Sequence, residues 1–141
     1  MLHRARCLES MRGRAGASVV EFAIVVPVFF AFIIGIIEVG RGMMVNHLLL
    51  NAAREGCRTG VLSGKTTSDI TGRVSSVLST QGVSGITTTV TVNSQSVDAS
   101  TAVSNDEISV TVSVPVANVT WVPGMHFLSG TLRGKYSLRR E

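Results

Sequence analysis

At 141 residues, 45% apolar and 16% charged, the chain holds at most one modest domain and no large enzyme core. Thirteen Lys and Arg against nine Asp and Glu give a net charge of +4, but the excess is terminal: Arg4, Arg6, Arg12 and Arg14 precede the apolar region, and Arg133, Lys135, Arg139 and Arg140 close the sequence. With residues 1–16 set aside, nine basic and eight acidic residues remain, and no basic face with interleaved aromatics is left for a phosphate backbone, which argues against nucleic acid as a partner.

Mean hydropathy is +0.36, and it is unevenly spread. Apolar residues concentrate between Val19 and Leu50, whereas Ser and Thr dominate from Ser63 to Ser113. The sequence thus divides into a basic cytoplasmic leader at 1–16, a transmembrane and extended helix at 17–62, and an exported Ser/Thr-rich α+β domain at 63–141. Met11 is an alternative start that leaves the rest untouched.

From Val19 to Ile37 the one strongly polar residue is Glu21, and the run spans about 28 Å as a helix, close to the thickness of a hydrocarbon core. The arginines before it predict a cytoplasmic N-terminus and an exported C-terminal part. Pro27 is tolerated in such a helix, because neighbouring packing can satisfy the carbonyl it frees. A cleaved secretory signal is the rival reading; its apolar region should be shorter and end at a small-x-small site.

Beyond the span, Met43, Leu50, Ala53, Cys57 and Val61 recur at three- and four-residue steps, while Asn51, Arg54, Glu55 and Arg58 take another face. This predicts a helix continuing to about residue 61, with glycines at 40, 42, 56 and 60 allowing other helices to approach closely. A break at Gly40-Arg41-Gly42 is the alternative. Cys57 reads as a small apolar residue on a helix face, an intermolecular bridge being the other option; Cys7 lies across the apolar run from it and is a poor disulfide partner.

After a loop at Ser63-Gly64-Lys65-Thr66-Thr67, Ile70, Val74, Val77 and Leu78 fit a short amphipathic helix capped by Ser68 or Asp69. Past Gly82 the period becomes two. Ile86, Thr88, Val90 and Val92 form one predicted strand, and Ile108, Val110, Val112, Val114 and Val116 a second, separated by a long polar loop at 93–106. Pro115 predicts that the second strand lies at an edge or bulges. A third strand from Gly130 to Arg139 runs through Leu132, Tyr136 and Leu138. The fold class is therefore α+β: one long N-terminal helix, a short helix and a small antiparallel sheet.

No catalytic or metal-binding pattern emerges. Gly64-Lys65-Thr66 looks like the end of a phosphate-binding loop, but its preceding glycine, Gly60, is one residue too close and the segment follows a helix. His3, His47 and His126 are far apart, with no ligand spacing that would make a metal site. No cofactor and no enzymatic activity is expected.

Glu21 is the exception to an otherwise bland apolar run, since an ionisable group at membrane depth calls for a partner. The sequence from Gly16 through Phe22 resembles the type IV prepilin cleavage site in its Gly-x-x-x-x-Glu-aromatic form, that of the Flp (tight adherence) class. More broadly, residues 14–60 resemble the TadE-like pseudopilin family: a Glu-Phe-Ala-Ile-Val-Val-Pro core at 21–27, an apolar run ending at Glu38, and Ala-Ala-Arg-Glu-Gly-Cys-Arg-Thr-Gly at 52–60. The closing Leu138-Arg139-Arg140-Glu141 is similar to that family's tail.

The resemblance implies removal of a 16-residue leader by a prepilin peptidase, with Gly16 at the scissile position and Ala17 as the new N-terminus. It implies that Glu21 meets the amine of a neighbouring subunit, and that Pro27, Glu38, Arg54, Glu55 and Arg58 lie on helix-packing surfaces. The implied partners are other pilin or pseudopilin subunits, the peptidase and lipid of the inner (cytoplasmic) membrane. Ala17 departs from the aromatic residue of many pilins, and the exported part is long for a major Flp subunit, so a minor or assembly role fits. Two alternatives stand: Glu21 at headgroup level, favoured by the helix dipole, and a signal-anchored exported module that recognises a wall component or partner protein.

Overall fold

The computed structural model describes residues 3–120 and 130–141, with the side chains of 16–120 and 130–141. Helix α1 runs from His3 to Gly60 without interruption, through Pro27 and through Gly40-Arg41-Gly42. Compactness divides the chain into two units, Met1–Glu38 and Val39–Glu141. The boundary falls inside α1, so the second half of the helix is part of the C-terminal unit.

In the first unit, α1 is apolar and bare: Val19, Phe22 and Phe32 are 67%, 69% and 73% exposed. Such a surface suits lipid rather than water. Among the described residues one helix, within Gly16–Gly60, is long and apolar enough to cross a membrane, and its most apolar stretch is unburied.

The second unit is built around the continuation of that helix. Helix α2 spans Thr67–Thr80, and strands β1 (Thr87–Val92), β2 (Glu107–Pro115) and β3 (Thr131–Arg139) form an antiparallel sheet in the order β1-β2-β3. The α+β class expected from the periodicities is the observed one. The core joins Val45, Leu49, Ala52, Ala53 and Cys57 of α1 to Ile70, Val74 and Leu78 of α2 and to the even-numbered residues of β1 and β2, from Val90 to Val114.

The buried stripe of α1 keeps Ala53 and Cys57, with Val61 just past its end, of the one that spacing predicts and differs from it elsewhere. Met43 is 61% exposed and Leu50 only half-buried; Val45, Leu49, Ala52, Gly56 and Gly60 take the inward positions. Small residues form this face because the sheet comes very close. A Cβ at Gly134 of β3 would stand 2.5 Å from the backbone carbon of Leu49 and nitrogen of Leu50, a separation no alanine could adopt. Cβ atoms at Gly56 and Gly60 would each come within 2.8 Å of Val74 or Ile70 of α2. These two glycines serve approach within the chain.

Two local expectations are corrected. The cap of α2 is Thr66, one turn ahead of Asp69: the Asp69 amide donates to Thr66 Oγ1 at 3.3 Å, and Asp69 Oδ2 accepts from the Thr66 amide at 3.0 Å. This capping box satisfies two amides at once. Strand β2 is central, not an edge, with no bulge needed. Pro115 is its last residue, and β1 has already ended opposite Ser113. Since the Val116 amide donates to Gly130 on the β3 side, alternation turns the Pro115 nitrogen to the side β1 has vacated, where a missing donor is harmless.

Even-numbered strand residues face the helices, so odd-numbered ones form the outer face. Its ladder rows are Thr87–Ser113–Arg133, Thr89–Thr111–Lys135 and Thr91–Ser109–Ser137, with Glu107 opposite Arg139 at the end.

Candidate assembly site

The residues singled out by sequence lie along α1. Gly16, Ala17 and Glu21 are exposed on the unbroken helix. Ala17 and Glu21 are four residues apart, about 6 Å along the axis and on one face. A Cβ at Gly16 would meet nothing within 4 Å, so no contact within the described residues requires glycine there. Pro27 lies inside the exposed apolar stretch. Glu38 is half-buried at the end of that stretch.

The other three positions are engaged within the second unit. Arg54 sets its guanidinium 5.0 Å from the centre of the Tyr136 ring on β3, a cation–π contact. Glu55 bridges Arg58 at 3.6 Å and Arg73 of α2 at 3.3 Å. These pairs are largely exposed, and each contributes less than about 1 kcal/mol. Arg54 thereby joins α1 to β3, and Glu55 joins it to α2.

Cys57 is fully buried. Its Sγ lies 3.1 Å from the Tyr136 carbonyl and 3.7 Å from that of Ile108, to which the thiol donates. Burial pushes the thiol up to about 11. This is the small apolar role expected of it; a bridge to another chain has no access. The side chain of Cys7 lies outside the described residues, as does His126.

Two arginines carry structure that sequence reading missed. Arg41 donates through Nε to the Val119 carbonyl. Arg140 is 6% exposed and donates to the carbonyls of Leu62 at 2.8 Å, Ala99 at 3.5 Å and Ala102. Its own backbone pairs with Asp106 and Asn105 at 2.8 and 2.7 Å. The turn after α1, the β1–β2 loop and the C-terminal segment therefore meet at one guanidinium. A terminal run of charge gives no sequence signal for this, because each accepting group is a backbone carbonyl.

The β1–β2 loop is itself ordered by short polar links. Asp98 accepts from Ser100 at 2.8 Å, Asp106 from the Val103 amide and from Asn93 at 2.8 and 2.7 Å. Among the described residues no group of three or more His, Cys, Asp or Glu is placed to hold a metal ion.

A long apolar helix that can cross a membrane and then supplies part of the core of a small antiparallel α+β unit defines a membrane-anchorable protein. Residues 16–58 match the family model of the TadE-like proteins, a family associated with Tad/Flp pili. The match begins at Gly16, spans the apolar stretch and the part of the core that α1 supplies, and leaves α2 and the sheet outside it. No curated protein and no solved structure matches the chain.

Proposed function

We propose that the chain is a membrane-anchored minor pilin or pseudopilin that takes part in assembling a Flp-type pilus or related secretion system, without catalysis of its own. The observation that carries this reading is the family match over residues 16–58, whose first residue is the glycine five positions before the intramembrane glutamate. In this reading the N-terminus is cytoplasmic and the C-terminal unit exported across the inner membrane. A prepilin peptidase cuts between Gly16 and Ala17, and the new ammonium of one subunit meets Glu21 of the next. Each charge then offsets the other's desolvation in the bilayer, which fixes the stagger between helices. The exposed apolar face around Pro27 supplies the packing surface.

N-terminal sequencing of protein produced with and without the peptidase tests the cleavage. A start at Ala17 only when the peptidase is present is expected; residues 1–16 retained in both cases overturns it. Glu21→Ala is expected to insert normally in the membrane yet lose most co-purification with other pilin subunits. Undiminished co-purification would mean that Glu21 sits at the headgroups and pairs with no one.

A further inference from the structure

The outer face of the sheet is used by nothing described so far. Every outward position of β1 and β2 from Thr87 to Thr91 and from Ser109 to Ser113 is a Ser or Thr. Spacings of about 7 Å along a strand and about 4.8 Å between strands make these hydroxyls a regular lattice. On β3 the same face carries Arg133, Lys135 and Arg139, all exposed. Glu107 stands opposite Arg139 in the ladder, whereas Arg133 and Lys135 stand opposite Ser113 and Thr111. Positive charge is thus concentrated at one end, beside four hydroxyl-bearing residues.

One further observation belongs to the same face. Ser109 is 7% exposed, and its Oγ has no hydrogen-bond partner among the described residues. Buried polar atoms are normally paired; alternation places this one on the outer-face register of β2, covered by its neighbours, in the row next to that of Thr111 and Lys135.

We infer that this face binds an anionic polysaccharide, with Arg133 and Lys135 engaging its acidic groups and Thr87, Thr89, Thr111 and Ser113 exchanging hydrogen bonds with its hydroxyls. The chemistry selects this occupant over others. Among the described residues the ladder rows carry no aromatic on the outer side, since Tyr136 faces inward, so these rows themselves offer no stacking platform for a neutral sugar or a nucleobase. The inference is independent of cleavage at Gly16, and gives the exported unit a ligand under either the pilin or the tethered-module reading.

The test uses the full chain in phosphatidylcholine nanodiscs, with polygalacturonate, dextran and oligothymidylate as probes. Polygalacturonate is expected to bind and to weaken with added salt. The double variant Arg133→Ser/Lys135→Ser should lower its affinity at least tenfold, and Arg12→Ser/Arg14→Ser should leave it unchanged. The proposal is overturned by equal binding of dextran, by oligothymidylate binding as tightly as polygalacturonate, or by loss that follows the N-terminal arginines instead of Arg133 and Lys135. Circular dichroism of each variant, unchanged from the parent, establishes that the fold persists.

Discussion

Asp69, Asp98 and Asp106 show how single polar residues hold the second unit together. Each accepts hydrogen bonds in its ionised form, and each carboxyl is held below its usual range: Asp69 chiefly by the Thr66 amide, Asp98 by Ser100, Asp106 by the Val103 amide. A carboxyl depressed in the folded state contributes stability above its unfolded pKa, and that contribution is lost as pH falls through the folded value. Cys57 has the opposite sign: a thiol raised by burial favours folding below its unfolded value of 9.0 and loses that contribution as pH climbs toward about 11. Urea midpoints of the chain in detergent are therefore expected to be flat from about pH 5 to 8, falling below about pH 4 and above about pH 9. Cys57→Ala should flatten the alkaline limb and leave the acid limb alone.

Among the elements, the contact of α1 with β3 is the most exacting. Gly134 lies against the backbone of Leu49 and Leu50, where nothing can rotate away, so Gly134→Ala is expected to destabilise the unit by about 2–3 kcal/mol through overpacking. Gly60→Ala meets only Ile70 and Ile108 side chains and should cost less. Thermal melts of the two variants, compared by circular dichroism, check the order. The same contact explains what sequence could and could not disclose. The period-two runs at 86–92 and 108–116 and the 3.6-residue pattern at 70–78 announced three of the elements, because their core residues are large. The inward stripe of α1 was legible only at Ala53 and Cys57, and at Val61 just past its end; its remainder escaped, since spacing rules weigh Met43 and Leu50 above Ala52, Gly56 and Gly60. Pro115 misplaced β2 because its tolerance depends on the length of β1, a neighbour's property. In the candidate site, the spacing from Gly16 to Glu21 is legible from sequence, whereas the engagement of Arg54 with Tyr136 and of Glu55 with Arg73 joins residues far apart in the chain.

At the scale of the whole molecule, long-range polar links add to the core in closing the second unit. Arg140 Nη2 reaches Leu62 across 78 positions of sequence. Arg140→Ala would leave three carbonyls without their charged donor and is expected to cost about 3 kcal/mol. Arg139→Ala, at an exposed neighbour, should change stability by less than about 0.5 kcal/mol. The pair of urea titrations separates a buried tie from a simple loss of terminal charge. Arg140→Lys, with one ammonium in place of a fork, should recover only part of the loss.

The seat of Gly134 on Leu49 also sets a clock. Eighty-five residues separate the two, and synthesis at about 5–20 residues per second puts roughly 4–17 s between them. For that interval the inward side of α1 beyond residue 45 has been made but its last covering strand has not. Leu49, Ala52 and Ala53 then await β3 while the apolar stretch ahead of them is already complete. A nascent chain of this design spends seconds with an uncovered helix face beside its membrane-seeking segment, and must reach its sheet partner before it meets a copy of itself.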